Sequence, residues 1–258
     1  MEKKEYLIKT LEQFHIVLTD EQTEQLLLFY EMLIEKNKVM NLTAITEFEE
    51  TCEKHFLDSL SLCRLFGKCA PLPSMDEKSK QKLTLIDVGC GAGFPGIPLA
   101  IAFPFFQVTL LDSLNKRVLF LQEVIDALHL SNCKAYHGRA EEFARLKDRR
   151  EQYDLAVSRA VAGLPVLCEY CLPFVKKDGI FVAYKSAKIK EEAAEAGRSI
   201  RLLGGAFEME EEFTLPAIHT HEKTDHIQNY RNLYVIRKVS GTPKAYPRKA
   251  GTAAKNPL

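Results

Sequence analysis

The chain has 258 residues and a mass of 29.3 kDa, enough to bury a sizeable core in one domain with an appendage, which excludes a peptide hormone or a large multidomain machine. Its 46% hydrophobic and 27% charged residues are globular values that rule out a disordered or fibrous chain, and 35 basic residues balance 35 acidic ones. No apolar run approaches the roughly 20 residues needed to cross a bilayer, and the charged start Met1-Glu2-Lys3-Lys4-Glu5 leads into no signal-type segment, so no membrane association and a cytoplasmic location are expected.

The first 67 residues read as a helical N-terminal extension. Thr19 with Gln22 three residues on has capping-box spacing, and Leu26, Leu27, Tyr30, Leu33 and Ile34 follow at helical intervals. After a turn at Asn41-Leu42-Thr43, Thr46 with Glu49 opens another helix that carries Phe48, Cys52, Phe56 and Leu60 on one side and stops at Gly67. Residues 68–82 are polar and proline-bearing, the composition of a linker or exposed loop. From Leu83 to about residue 240 short apolar runs alternate with helices, which predicts an α/β domain with a parallel sheet covered on both faces. The strand candidates are Leu83 to Val88, Gln107 to Leu111, Cys133 to Tyr136, Tyr153 to Ser158, Ile180 to Tyr184, Phe207 to Leu215 and Leu233 to Val239. Between the second and third lies the clearest helix, Lys116 to Leu130, with Val118, Leu121, Ile125 and Leu128 at three- and four-residue steps. Residues 241–258 form a basic C-terminal tail.

Chemistry concentrates directly after the first strand, in Asp87-Val88-Gly89-Cys90-Gly91-Ala92-Gly93-Phe94-Pro95-Gly96. Glycines at 89, 91 and 93 allow a tight turn that brings backbone N–H groups to a ligand at a helix start. Gly91, Gly93 and Gly96 also satisfy the dinucleotide spacing G-x-G-x-x-G, so an NAD(P)-dependent oxidoreductase is an alternative. Asp87 argues against it, because a carboxylate at that corner repels a pyrophosphate and suits the ammonium and sulfonium of S-adenosylmethionine. Asp112 ends the second strand, where an acid accepts ribose hydroxyls of either cofactor, and Arg139-Ala140-Glu141 follows the third strand, near an adenine. After the fourth strand stands Ser158-Arg159-Ala160, not the Pro-Pro-aromatic segment of adenine amino methylation, and no Pro-Cys loop offers a nucleophile for pyrimidine C5. A ring nitrogen such as guanine N7 has a free lone pair and needs positioning more than deprotonation.

Seven cysteines scattered from Cys52 to Cys171 argue against a disulfide framework, and Cys168-x-x-Cys171 lies in an apolar helical stretch as buried thiols. His219, His221 and His226 have no cysteine partners, so no metal is expected. No acid follows Asp225, and Arg231, Arg237, Lys238, Lys244, Arg248, Lys249 and Lys255 give a +7 end to a −7 body. That asymmetry suits a polyanion partner.

The glycine run and its continuation Ile97-Pro98-Leu99 closely resemble those of the bacterial RsmG (GidB) family of 16S rRNA guanine-N7 methyltransferases. Asn41-Leu42-Thr43-Ala44, Lys54-His55-Phe56-Leu57-Asp58-Ser59, Lys116-Arg117, Gly138-Arg139-Ala140-Glu141, Ser158-Arg159-Ala160 and Thr242 to Gly251 agree in order, so the likeness spans nearly the whole chain. Cys90, where serine is expected, is a small-for-small departure. The resemblance implies a class I S-adenosylmethionine-dependent methyltransferase, Rossmann-like with a seven-stranded sheet over 83–240, acting on a guanine N7 of 16S rRNA or the small ribosomal subunit. It places Gly89 and Phe94 at the methionine part of the cofactor, beside Asp87, Gly91 and Gly93, which the loop itself marks as cofactor-binding candidates. Asp112, Ser113 and Leu114 fall at the ribose, Ala140 and Glu141 at the adenine, and Arg159 at the pocket edge. Asn41, His55, Arg139, Arg231, Arg248 and Lys249 are the candidates for RNA contact. No catalytic residue is singled out, a monomer is expected, and a non-catalytic RNA-binding protein with a vestigial cofactor pocket is the other alternative.

Overall fold

The structure is a computed structural model that describes residues 2–74, 81–160, 162–186, 189–216 and 229–258. Two helices open the chain, α1 (Lys3–Glu12) and α2 (Asp20–Met40). The capping box at the start of α2 is present: Gln22 N–H donates to Thr19 Oγ1 at 3.2 Å and Thr19 N–H to Gln22 Oε1 at 2.9 Å. Asn41 ends it in the left-handed region at φ 49°.

The second predicted helix forms, but not as one regular rod. It opens as α3 (Phe48–Thr51), widens into a π-helical turn over Cys52–Leu57, narrows through α4 (Asp58–Leu60) and tightens into a 3-10 turn over Ser61–Leu65. Its N-cap is Glu47 rather than Thr46, with no side-chain cap bond. The apolar stripe predicted for it is real, since Phe48, Cys52, Phe56 and Leu60 are buried. A π turn commonly marks a functional stretch, and this one carries His55. Part of the expected linker is packed instead of exposed: Gly67 N–H bonds Pro73 O, and Cys69 and Leu72 are buried.

Seven strands follow: β1 (Leu83–Val88), β2 (Phe106–Asp112), β3 (Cys133–His137), β4 (Tyr153–Ser158), β5 (Val175–Lys185), β6 (Gly205–Thr214) and β7 (Tyr230–Lys238). They form one sheet in the order β3-β2-β1-β4-β5-β7-β6, with β7 antiparallel to both its neighbours and the other pairings parallel. The order reverses between β1 and β4, and the carboxyl ends of those strands open a crevice there. On one face lie α1, α2, the helical run over 48–65, α5 (Gly96–Ala102) and α6 (Asn115–Ala127), which meet the sheet through Phe29, Phe56, Phe94, Leu121 and others. The opposite face holds α7 (Ala140–Phe143), α8 (Leu164–Cys171) and α9 (Ile189–Leu202).

The C-terminal segment, ending in α10 (Thr252–Lys255), is docked on that second face and is not a free basic tail. Arg150 donates to the carbonyls of Thr242 and Tyr246, and Arg145 to that of Pro247. Four of the seven basic residues counted on from Arg231 are spent internally: Arg231 on Asp58, Arg237 on Glu208, Lys238 on Glu151 and Arg248 on Glu169. Lys244, Lys249 and Lys255 stay exposed. A chain's net charge predicts its field, but carboxylates upstream, those of Asp58 and Glu169 buried, claim four of these seven cations.

Candidate functional site

The loop after β1 is pinned to the end of β2. Gly89 and Cys90 N–H both donate to Leu111 O, and Gly91 N–H donates to Asp112 Oδ2 at 2.9 Å. Asp112 Oδ1 accepts from Leu114 N–H at 2.8 Å, and Arg117 approaches Oδ2 at 3.5 Å. Gly91 needs the freedom of a residue without Cβ, with φ +59° and an open side on which an added Cβ would meet no atom within 4 Å. Gly93, at φ +102°, is instead a packing glycine whose missing Cβ leaves room for Ile97 and Leu121.

This loop floors a cavity of about 590 Å³ lined by Gly89, Gly91, Phe94, Asp112, Ser113, Leu114, Arg139, Ala140, Glu141 and Arg159, with His55 above. Ten of the residues singled out in the sequence for cofactor or RNA contact thus come together with His55 around one volume. Asp87 does not line it. Its carboxylate lies fully buried beneath the loop, where Oδ2 accepts from Gly96 N–H at 2.8 Å and Oδ1 has no hydrogen-bond partner. Burial pushes its pKa up to about 7, against the bond from Gly96. The expected direct attraction between Asp87 and a bound cation is therefore corrected: α5 begins so close to the strand that its first amide captures the side chain.

A second cavity of about 620 Å³ adjoins the first and shares with it His55, Arg159, Ala160 and Ala162. Arg231 lines this second volume, not the first. At the junction, Arg159 Nη1 donates to Asp58 Oδ2 at 3.0 Å and to Lys54 O at 3.1 Å, while Nη2 meets His55 Nδ1 at 3.2 Å. The guanidinium sits 5.1 Å from the Phe94 ring centre, and the imidazole stacks on the same ring at 4.4 Å and 20°. Arginine can only donate, so Nδ1 accepts and the ring proton is on Nε2, which bonds Thr43 Oγ1 at 2.8 Å. Burial, then the Arg159 cation, push the His55 pKa down to about 3. Asp58 Oδ1 holds Arg231 at 3.3 Å, so one carboxylate with 7% side-chain exposure orients both arginines. Lys185 is paired with Glu192 at 2.7 Å, and Tyr184 O–H donates to Ser59 O at 2.8 Å.

Asn41 and Arg248 fall elsewhere. Asn41 caps α2 on the surface, and the neighbouring Asn37 shapes the site instead, since its Oδ1 accepts from Leu42 and Thr43 N–H. Arg248 is committed to Glu169 through its Nε and Nη2, and Lys249 is exposed beside a shallow groove with Glu141. Asp58, Thr43 and Lys185 were not singled out. The sequence signal for Asp58 is an acid between Phe56-Leu57 and Leu60 on the apolar side of its helix, where a buried carboxylate requires a cationic partner. His219, His221 and His226 lie outside the described residues. Among the described residues no cluster of metal-ligating side chains occurs, and no helix is long and apolar enough to cross a membrane. The cysteines are free and buried, Cys168 and Cys171 included.

The family model described as GidB, rRNA small subunit methyltransferase G, matches residues 22–220. The ribosomal RNA small subunit methyltransferase G of Lachnoclostridium phytofermentans is 49% identical over 251 residues, covering 97% of this chain and 96% of that protein. Its namesake from Bacillus subtilis is 46% identical over 243 residues, covering 94% and 93%. Among solved structures, the precorrin-6y C5,15-methyltransferase of Geobacter metallireducens superposes with a TM-score of 0.50 at 13% identity, over 78% of this chain and 92% of that one. That likeness is one of fold, and with the strand order it identifies the class I methyltransferase sheet.

Proposed function

The chain belongs to the GidB family, rRNA small subunit methyltransferase G, and we propose that it methylates the N7 of one guanine in 16S rRNA, with the methyl group taken from S-adenosylmethionine. It is an S-adenosylmethionine-dependent rRNA methyltransferase, and an NAD(P)-dependent oxidoreductase is not favoured. The fit of the cofactor rests on the 590 Å³ cavity, the open side of Gly91, and the Asp112 carboxylate at the strand end. Gly89, Gly91 and Phe94 would hold its methionine part, Asp112, Ser113 and Leu114 its ribose, and Ala140 and Glu141 its adenine. When bound, the cofactor supplies an electrophilic methyl on a cationic sulfur.

The choice of N7 is carried by one observation: among the described residues, no free general base stands where the two cavities meet. Both nitrogens of His55 are engaged, Asp58 is shared by two arginines, and Lys185 and Glu192 neutralise each other. Such a wall cannot strip a proton from an exocyclic amine or a hydroxyl, but a ring nitrogen with a lone pair requires only alignment. The 620 Å³ cavity receives the flipped base, and Arg159 marks the line of transfer between the two volumes. Arg139, which lines the 590 Å³ cavity, would meet a phosphate, while Arg231, which lines the 620 Å³ cavity, is held on Asp58. The protein acts in the cytoplasm as a monomer on rRNA or the small subunit. The test is aniline-induced strand scission of borohydride-reduced 16S rRNA, compared between cells with and without the protein. A cleavage site that disappears with the protein supports the reading, and one that persists unchanged overturns it.

A further inference from the structure

The cofactor cavity is braced from behind by the C-terminal segment. Glu141 has only 5% exposure and lines the cavity, and its Oε1 accepts from the backbone N–H of Gly251 at 2.8 Å. Gly251 stands at φ +80°, a left-handed turn that aims this amide inward. Three residues earlier Arg248 fixes the segment on α8. Its main-chain N–H and its Nε reach Glu169 Oε1 at 2.7 and 3.0 Å, and its Nη2 reaches Oε2 at 2.6 Å. Glu169 keeps 1% side-chain exposure, and its neighbour on α8, Tyr170, lines the same cavity. A surface charge pair adds little, but a forked pair on a buried carboxylate defines geometry.

From these contacts we infer that the C-terminal segment is a part of the cofactor site: Arg248 clamps it to α8, and Gly251 orients the Glu141 carboxylate toward the bound nucleoside. Arg248 and Gly251 are positioning residues that act through Glu141 and touch no ligand. The inference rests on the reading of the 590 Å³ cavity as the S-adenosylmethionine site. It also gives Arg248 a use other than RNA contact.

The test is a double-mutant cycle on the full chain, read as the dissociation constant for S-adenosylmethionine by calorimetry. One arm removes residues 250–258, which spares the Arg248 clamp and deletes the Gly251 amide, and the other is Glu141→Ala. Each alone should weaken binding roughly threefold to tenfold, the worth of one ordinary hydrogen bond. In the Glu141→Ala background the truncation should change affinity by less than about twofold, because the pair acts as one unit. The KM for rRNA should not move. Thermal melting establishes that each variant folds. Should the truncated chain fail to fold, Arg248→Lys takes its place, since a lysine keeps the charge and loses the fork. Strictly additive losses, an unchanged affinity on truncation, or a raised KM for rRNA with unaltered cofactor affinity each overturn the inference. Absence of S-adenosylmethionine binding by the unmodified chain would instead count against the assignment of the 590 Å³ cavity to the cofactor.

Discussion

Replacing Asp58 by asparagine should uncouple stability and transfer from cofactor binding, because that carboxylate lines the 620 Å³ cavity and not the cofactor cavity, and orients two arginines. In the native chain it neutralises Arg159 at 3.0 Å and Arg231 at 3.3 Å, and all three side chains are largely shielded, at 7%, 18% and 19% exposure. Removing one partner of a buried ion pair costs about 3–5 kcal/mol when the remaining charge is stranded. Here each arginine keeps a carbonyl partner, Lys54 O for Arg159 and Tyr230 O for Arg231, and the amide still accepts one bond, so roughly 2–3 kcal/mol is expected. For a chain of this size that corresponds to a melting point lower by about 4–12 °C. The larger effect is kinetic, since a displacement of about 1 Å in a group that aligns reactants can cost about a hundredfold in rate. The assay is transfer of labelled methyl to small-subunit rRNA, with kcat and KM for rRNA separated from the dissociation constant for S-adenosylmethionine. A variant that melts within about 1 °C of the native protein and turns over normally would refute the claim that Asp58 organises the junction.

Three further outcomes follow from the same structure. His55 has a folded pKa of about 3 against 6.5 when exposed, so its neutral ring contributes stability that is complete above pH 6.5 and lost as the pH falls toward 3. His55→Gln should flatten urea-denaturation stability across that window, and an unchanged slope would contradict the assignment. Asp87 has the opposite sign: its folded pKa near 7 lies above the ordinary 3.8, so stability declines as the pH rises between those values. Asp87→Asn should therefore be more stable than the native chain at pH 8 and equal to it near pH 4, measured by thermal melting. Gly93→Ala would drive a Cβ to 2.8 Å from Ile97 Cγ1 and 2.9 Å from Leu121 Cδ2 at φ +102°, costing about 2–4 kcal/mol and most of the cofactor affinity. An alanine variant with native melting and binding would show that the loop relaxes freely.

Much of the fold was legible because its signals are local. All seven strands stand where apolar runs predicted them, within a few residues at each end except for the start of β5, and the capping box at Thr19 forms as its spacing requires. The glycine loop, Asp112 and the Arg139-Ala140-Glu141 corner meet at one cavity because parallel strands deliver their carboxyl ends to the same edge. What escaped the sequence depends on contacts between distant segments. Asp58 lies 101 residues from Arg159, and nothing local shows that a helix before the sheet supplies the carboxylate for an arginine after β4. Arg248 read as a phosphate contact because nothing local pairs it with Glu169, 79 residues upstream on an apolar helix. Asp87 misled for a steric reason: the loop after β1 is so short that Gly96 reaches back over the side chain. The helical run over 48–65 kept its apolar period while changing pitch, a change that no residue pattern announced.

The atom that receives the methyl group is the most direct readout of this site's chemistry. Purified protein incubated with small ribosomal subunits and isotopically labelled S-adenosylmethionine, followed by nuclease digestion and mass spectrometry of the nucleosides, should yield label in 7-methylguanosine alone, at one nucleotide. Label on an exocyclic amine, on a ribose hydroxyl or on a pyrimidine would contradict a site whose acids and bases are already paired with one another.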